Sequence, residues 1–173
     1  MESFDIIVVG VGAMGSSACC RLARRGVKVL GLEQHSIPHD LGSSHGQSRM
    51  IRCAYYEHPD YVPLLLRSWA LWEELQDEAG RDLLFPTGGL YMGPAGCEFV
   101  EASRQAASEH GLAYESLDHA QLADRFPQFQ LPENFIGMHE TRAGFLVPEW
   151  CIEDHVRLAR EHGADIREGE PVV

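Results

Sequence analysis

Long apolar runs are missing from this sequence: no stretch approaches the ~20 residues that a membrane-crossing helix needs, which excludes a helical span. Cysteine is sparse and unpaired in pattern. Its five positions, Cys19, Cys20, Cys53, Cys97 and Cys151, are odd in number and contain no C-x-x-C spacing. That argues against a disulfide framework and against a zinc site, and it fits a reducing cytosol. Positive charge is also short. Fourteen bases face 26 acids, and the net charge of −12 repels nucleic acid and anionic membrane, so neither is expected as a partner. Lysine is almost absent. Lys28 is the only one, and the remaining bases are arginine, a residue well suited to carboxylates and phosphates. A basic leader is lacking too. Glu2 and Asp5 stand in its place, the apolar run behind them is short and glycine-interrupted, and a cytoplasmic location is expected.

What is present is a globular composition. Apolar residues make up 45% of 173, enough to bury a real core. The charge is unevenly placed: residues 1–52 carry four acids and six bases, residues 53–173 carry 22 acids and eight bases. The cationic end is the end that favours an anionic ligand. Residues 4–9 are β-branched and apolar and read as a buried parallel strand. A glycine-rich turn over 10–15 follows, then a helix over 16–25 stopped by Gly26, then a second strand over 27–32. This succession is a βαβ unit, whose crossover is right-handed in nearly all cases.

Further along, 34–47 is polar and glycine-rich and reads as a loop. Asp60 is placed to cap a long helix reaching about residue 79, with Pro63 in its first turn and an apolar face that includes Leu64, Trp69 and Trp72. A short strand over 88–92, a helix over 95–110 closed by Gly111, and a helix over 120–126 capped by Asp118 follow. Strands are expected over 135–140 and 145–147, a helix over 148–162 ending at Gly163, and strand pieces at Ile166 and 172–173. A strand that opens at the last residues predicts that this chain is the N-terminal part of a longer protein. The acidic residues after position 97 read as a solvated face, and Trp69 and Trp72 as core. Cys19 and Cys20 read as small packing residues of the first helix. The histidines show no ligand spacing, so no metal is expected.

Val9-Gly10-Val11-Gly12-Ala13-Met14-Gly15 fits G-x-G-x-x-G. Gly10 permits the tight strand-to-helix turn, Gly12 lets backbone approach a diphosphate, and Gly15 lets the helix pack close to the strand. The phosphates then meet free N–H groups and the positive end of the helix dipole. Glu33 lies 18 positions past Gly15, at the tip of the second strand, where a carboxylate accepts from ribose hydroxyls and disfavours a 2′-phosphate. The bare pattern is weak. An apolar strand before it, a helix after it and an acid one strand later make it strong. The motif leaves FAD and NAD equally open.

Gly42-Ser43-Ser44-His45-Gly46-Gln47-Ser48-Arg49-Met50-Ile51-Arg52 is the other unusual segment. If the stretch from Gly46 is helical, Arg49 and Arg52 are i,i+3 and share a face that needs an anionic partner: a flavin-linked diphosphate, or a substrate carboxylate in bidentate geometry. Here the sequence resembles a family. Residues 4–15, Glu33, Pro38-His39, residues 42–52 and Tyr61-Val62-Pro63-Leu64 look like the N-terminal half of monomeric sarcosine oxidase and N-methyl-tryptophan oxidase, which are flavoprotein amine oxidases of the D-amino-acid-oxidase-like fold. The likeness continues through Thr87-Gly88-Gly89-Leu90, Pro132-Glu133-Asn134 and Gly144-Phe145-Leu146, and so covers almost the whole chain.

The resemblance implies an α/β fold. A Rossmann-like FAD domain takes 1–85 and returns at 148–173, and 86–147 supplies part of a second, sheet-containing substrate domain. It implies that Arg52 binds a substrate carboxylate and that His45 and Arg49 act beside the flavin as catalytic residues. The FAD-binding set is then Gly10, Gly12, Ala13, Met14 and Gly15 at the turn, Glu33 and Gln34 at the strand tip, and Ser43, Ser44 and Arg49 from the loop. Ser44 departs from the family, where a second histidine stands. The implied reaction is FAD-dependent oxidation of a secondary, N-methyl amino acid such as sarcosine or N-methyl-tryptophan. Oxygen is the acceptor, and the primary amino acid, formaldehyde and hydrogen peroxide are the products. Oxidation of pipecolate, glycine or a D-amino acid, or an NAD-dependent dehydrogenase of different chemistry, are the alternatives. A monomer is expected. In the family the flavin-linking cysteine lies in the C-terminal half and none of the five cysteines matches it, so the 173-residue piece alone is expected to be inactive.

Overall fold

The computed structural model describes residues 2–173, which form two units of packing. The first comprises 2–49, 74–83 and 146–173; the second comprises 50–73 and 84–145. Residues 50–73 thus fall in the second unit, whereas the sequence placed them with 1–85. Among the described residues no helix is long and apolar enough to cross a membrane.

In the first unit β1 (Ile6–Val9), β2 (Val29–Glu33) and β9 (Asp165–Glu168) form a parallel sheet in the order β1-β2-β9. Ile6 pairs with Val29 and Val9 with Leu32; Leu30 pairs with Asp165 and Glu33 with Glu168. α1 (Ala13–Ala23) links β1 to β2 and packs on α5 (Pro148–Glu161), which precedes β9. α1 buries Cys19, Cys20 and Ala23, and α5 buries Cys151, Ile152 and Val156. Burial pushes the Cys19 thiol up to about 11 and the Cys151 thiol up to about 12, as inert packing cysteines require. α1 starts three residues earlier than the sequence suggested and still stops before Gly26, whose φ is +75°.

β1 is shorter than expected and is not buried. Ile7 is 59% and Val9 64% exposed, and both stand on the side of the strand turned away from Val8, the residue that meets α1. The apolar composition made burial on both faces the natural expectation, but α1 covers one face only. The last residues, 172–173, carry no strand.

In the second unit β5 (Gly89–Pro94), β7 (Phe135–Glu140) and β6 (Tyr114–Leu117) form an antiparallel sheet in the order β5-β7-β6. Tyr91 sits opposite Met138. α3 (Glu98–Glu109) and α4 (His119–Arg125) lie on it, and Ala54, Tyr91, Val100, Ala107 and Met138 make the core. α4 opens with the expected Asp118 cap, reinforced by Gln121 into a reciprocal capping box. A third sheet runs β3 (Arg49–Arg52), β8 (Ala143–Leu146), β4 (Leu84–Phe85). The long helix α2 (Val62–Ala79) is not capped by Asp60. A 3-10 turn, Pro59–Tyr61, precedes it, and the Nδ1 of His58 accepts from the Asp60 N–H. Trp69 is buried as expected, its indole N–H donating to Glu73 at 2.8 Å, while Leu64 is 66% exposed.

Candidate functional site

The β1–α1 turn is built on glycine. Gly10 has φ +84°, and its N–H donates to the Leu32 carbonyl at 2.8 Å, which folds the chain back against β2. Gly12 is the N-cap residue of α1. Its backbone is extended, no side chain caps the helix, and no acid stands in the first turn. The first amides of α1 are therefore met neither by a cap nor by an acid of their own turn, and the dipole favours an anion there. A Cβ on Gly12 would find only the Ser44 Oγ, at 4.0 Å, so the space before these amides is open. A Cβ on Gly15 would lie 1.9 Å from the Gly10 carbonyl oxygen. The turn and the helix are in contact through backbone, and no other residue fits.

Glu33 is 5% exposed. Its Oε2 accepts the Val11 N–H at 2.7 Å and its Oε1 the His35 N–H at 3.2 Å; the His39 Nε2 lies 3.6 Å from Oε1. The carboxylate clamps the glycine turn to the tip of β2 and still faces a cavity of about 360 Å³. Gly10, Gly12, Glu33, Gln34, Ser43 and Ser44 all line that cavity. Ala13, Met14, Gly15, His45 and Arg49 do not. Met14 is 88% exposed, and Gly15 acts through packing. His35 and His39 also line the cavity; His39 was read only as part of the family resemblance and neither was given a site role, because that role comes from folding back onto Glu33.

The 43–49 loop is wrapped around Arg49. The guanidinium donates to three carbonyls: Ser48 at 3.0 Å, Ser43 at 3.2 Å and His45 at 2.6 Å. The His45 ring Nδ1 lies 2.5 Å from the Gly42 carbonyl oxygen. Both side chains belong to exposed residues. The stretch from Gly46 is not helical. Arg49 and Arg52 are the two ends of strand β3, and side chains three apart on a strand point to opposite faces. The shared-face expectation is therefore corrected: residues 49–52 pair with β8 as a strand, in which the β-branched Ile51 fits.

Arg52 has its own surroundings, in the second unit. Its guanidinium carbon lies 4.2 Å from the Tyr55 ring centre, 5.6 Å from Tyr56 and 5.9 Å from Tyr91, an aromatic shelf of cation–π type. Nη2 donates to the Glu57 carboxylate at 3.2 Å, while Nη1 is buried with no hydrogen-bond partner. Behind this shelf lies Glu140, 0% exposed. Its Oε1 accepts the N–H groups of Cys53 and Ala54, each at 3.0 Å, and its Oε2 the Tyr91 hydroxyl at 2.5 Å. Burial raises the Glu140 carboxyl and, more strongly, the Tyr91 phenol; the hydrogen bonds work the other way on Glu140. Glu140 and the buried Asp154 correct the expectation that acids after position 97 form a solvated face. Nothing local marks Glu140, since its partners lie 49 to 87 residues away in sequence. Among the described residues no group of three His, Cys, Asp or Glu is arranged to hold a metal ion.

Residues 5–173 match the family described as FAD dependent oxidoreductase. The chain is 39% identical over 170 residues to a monomeric sarcosine oxidase of Streptomyces avermitilis, covering 98% of this chain and 44% of that protein. It is 40% identical over 160 residues to an N-methyl-L-tryptophan oxidase of Salmonella arizonae, covering 92% and 43% respectively. Among solved structures, NikD, described as an unusual amino acid oxidase essential for nikkomycin biosynthesis, superposes with a TM-score of 0.87 at 27% identity, over 98% of this chain and 44% of that one. The chain thus spans under half the length of the relatives it matches.

Proposed function

The chain belongs to the family of FAD-dependent oxidoreductases, and on that premise we propose that it is part of an oxidase of N-methyl amino acids. The overall reaction takes a secondary amine, oxygen and water to a primary amine, formaldehyde and hydrogen peroxide. The residues fit the cofactor. The open space before Gly12, the uncapped start of α1 and the buried Glu33 on the cavity wall suit a diphosphate and its adenosine ribose. Gly10, Gly12 and the α1 amides would hold the diphosphate, Glu33 and Gln34 the sugar, and Ser43 and Ser44 the opposite wall. Bound there, FAD supplies the acceptor for the hydride equivalent lost from carbon next to the amine nitrogen. The first unit is then the FAD-binding part and the second belongs to the substrate domain.

The protein's own share of the work is binding and orientation. Arg52 receives the substrate carboxylate, His45 and Arg49 act beside the reacting centre, and the protein works as a monomer in the cytoplasm. The observation that carries the substrate class is Arg52, a guanidinium cushioned on tyrosines whose carboxylate partner is the exposed Glu57. An incoming carboxylate competes with a single surface ion pair worth about 0–1 kcal/mol. Flavin absorbance of the purified full-length oxidase, of which this chain is proposed to be part, and its peroxide release across sarcosine, N-methyl-tryptophan, pipecolate and glycine test the reading. A flavin-free protein, or one that uses a nicotinamide cofactor, would end it, and turnover of glycine or pipecolate alone would move it to another amino acid oxidase.

A further inference from the structure

Glu140 is the largest buried polar investment of the second unit, and the reaction scheme above makes no use of it. Tyr91 lies opposite Met138 on β5 and β7, so Glu140, two residues on, projects from the same face and meets the phenol diagonally. All three groups that touch the carboxylate are donors: the amides of Cys53 and Ala54 and the Tyr91 hydroxyl. An ionised carboxylate satisfies them without carrying a proton of its own. The two amides belong to the residues that directly follow Arg52, and the ring held by the third bond is one wall of the shelf under the Arg52 guanidinium.

We propose that Glu140, together with Tyr91, is a positioning pair for Arg52: the buried carboxylate fixes the chain just past Arg52 and fixes one ring on which its guanidinium lies. The inference rests on the reading of Arg52 as the carboxylate receptor. An alternative, that Glu140 only fills the core with a satisfied polar group, predicts general loosening and no selectivity for carboxylate ligands.

The test uses the FAD-loaded full-length oxidase and its Glu140→Leu, Glu140→Gln, Tyr91→Phe and Arg52→Met variants. Acetate binding is followed by the change in the flavin absorption bands, alongside turnover of sarcosine and of sarcosine amide, which lacks the carboxylate. Glu140→Leu removes the one oxygen that accepts both amides and should weaken acetate and raise the KM for sarcosine about tenfold, with kcat changed less and sarcosine amide affected little. Glu140→Gln keeps an acceptor oxygen of the same shape and should restore acetate binding to within about threefold, and Tyr91→Phe should weaken it a few-fold. Should Glu140→Leu fail to fold, Tyr91→Phe and the sarcosine-to-amide ratio decide. Unchanged acetate binding in the folded Glu140 and Tyr91 variants, with Arg52→Met weakened, overturns the positioning role and leaves Arg52 in place. Unchanged binding in Arg52→Met overturns the Arg52 reading itself.

Discussion

Alanine at Gly15 and alanine at Gly12 should damage the protein in different ways, although both belong to one motif. At Gly15 the new methyl carbon would sit 1.9 Å from the Gly10 carbonyl oxygen, 3.0 Å from the carbonyl carbon and 3.3 Å from the Val8 Cγ1. Comfortable contact begins near 3.5 Å, so the shortfall is about 1.5 Å against backbone, which cannot rotate away. The start of α1 must withdraw from β1, or the Gly10 turn must open. Overpacking of this kind costs about 1–3 kcal/mol. The upper end applies here, and for a chain of this size it corresponds to a fall in Tm of about 10 °C. At Gly12 the methyl would meet only the Ser44 Oγ at 4.0 Å, so the free protein tolerates it. It would instead fill the approach to the first α1 amides. Gly12→Ala should keep Tm within about 2 °C of the parent and still weaken FAD at least tenfold. Thermal unfolding of the FAD-free protein, paired with FAD titration by quenching of flavin fluorescence, reads both quantities. Equal unfolding temperatures for Gly15→Ala and the parent would refute the packing argument, and parental FAD affinity in Gly12→Ala would refute the placement of the diphosphate.

Arg52→Ala should raise the KM for the amino acid about 10–100-fold, the loss expected when charged hydrogen bonds of about 1.5–3 kcal/mol disappear, while FAD stays bound; steady-state peroxide release beside the flavin spectrum checks both halves. Glu33→Gln leaves one acceptor oxygen for the Val11 and His35 amides that two now serve. FAD affinity should fall and stability should drop by about 1–3 kcal/mol, the penalty for an unsatisfied buried group; an unchanged urea midpoint would speak against the clamp. His155 is 5% exposed on α5, and burial, aided by Arg21 and Arg24, lowers its pKa from 6.5 to about 4. Below pH 6.5 the unfolded chain takes up a proton that the folded chain refuses. Stability from this group is thus fully present above that pH and lost as pH falls toward 4, by about 3 kcal/mol. Melting curves from pH 7.5 to 4.5 should be steeper for the parent than for His155→Gln, and parallel curves would remove His155 as the cause.

The glycine turn and Glu33 were legible in the sequence because their requirements are local. A left-handed Gly10, a bare Gly15 against backbone and an acid at the tip of the next strand can each be read from spacing alone. Arg49 and Arg52 were legible as residues and not as geometry. Their i,i+3 spacing suggested one helical face, and the strand formed by pairing with β8 turns them apart and gives each a separate set of partners: loop carbonyls for Arg49, tyrosines and Glu57 for Arg52. The caps show the same division. Asp118 worked because its partner Gln121 is three residues away, whereas Asp60 lost its place to His58 once Pro59–Tyr61 tightened into a 3-10 turn.

β1 and Glu140 mark the two limits of such reading from opposite sides. Composition states what a strand can bury, not what lies over it. Ile7 and Val9 carry the apolar signature of an interior strand and stand exposed, since α1 covers only the face that Val8 presents. Glu140 carries the signature of a surface residue and is fully buried, since its three donors arrive from β5 and from the chain following β3. Moving an unpaired carboxylate out of water is prohibitive, so such a residue is kept only where every lone pair it needs to share is met by a donor. That demand fixes the donors as firmly as it fixes the acid. The segment just after Arg52 is therefore held from within the core rather than from its own exposed loop, and a change made at Glu140 must be felt at the guanidinium one residue before the amides it grips.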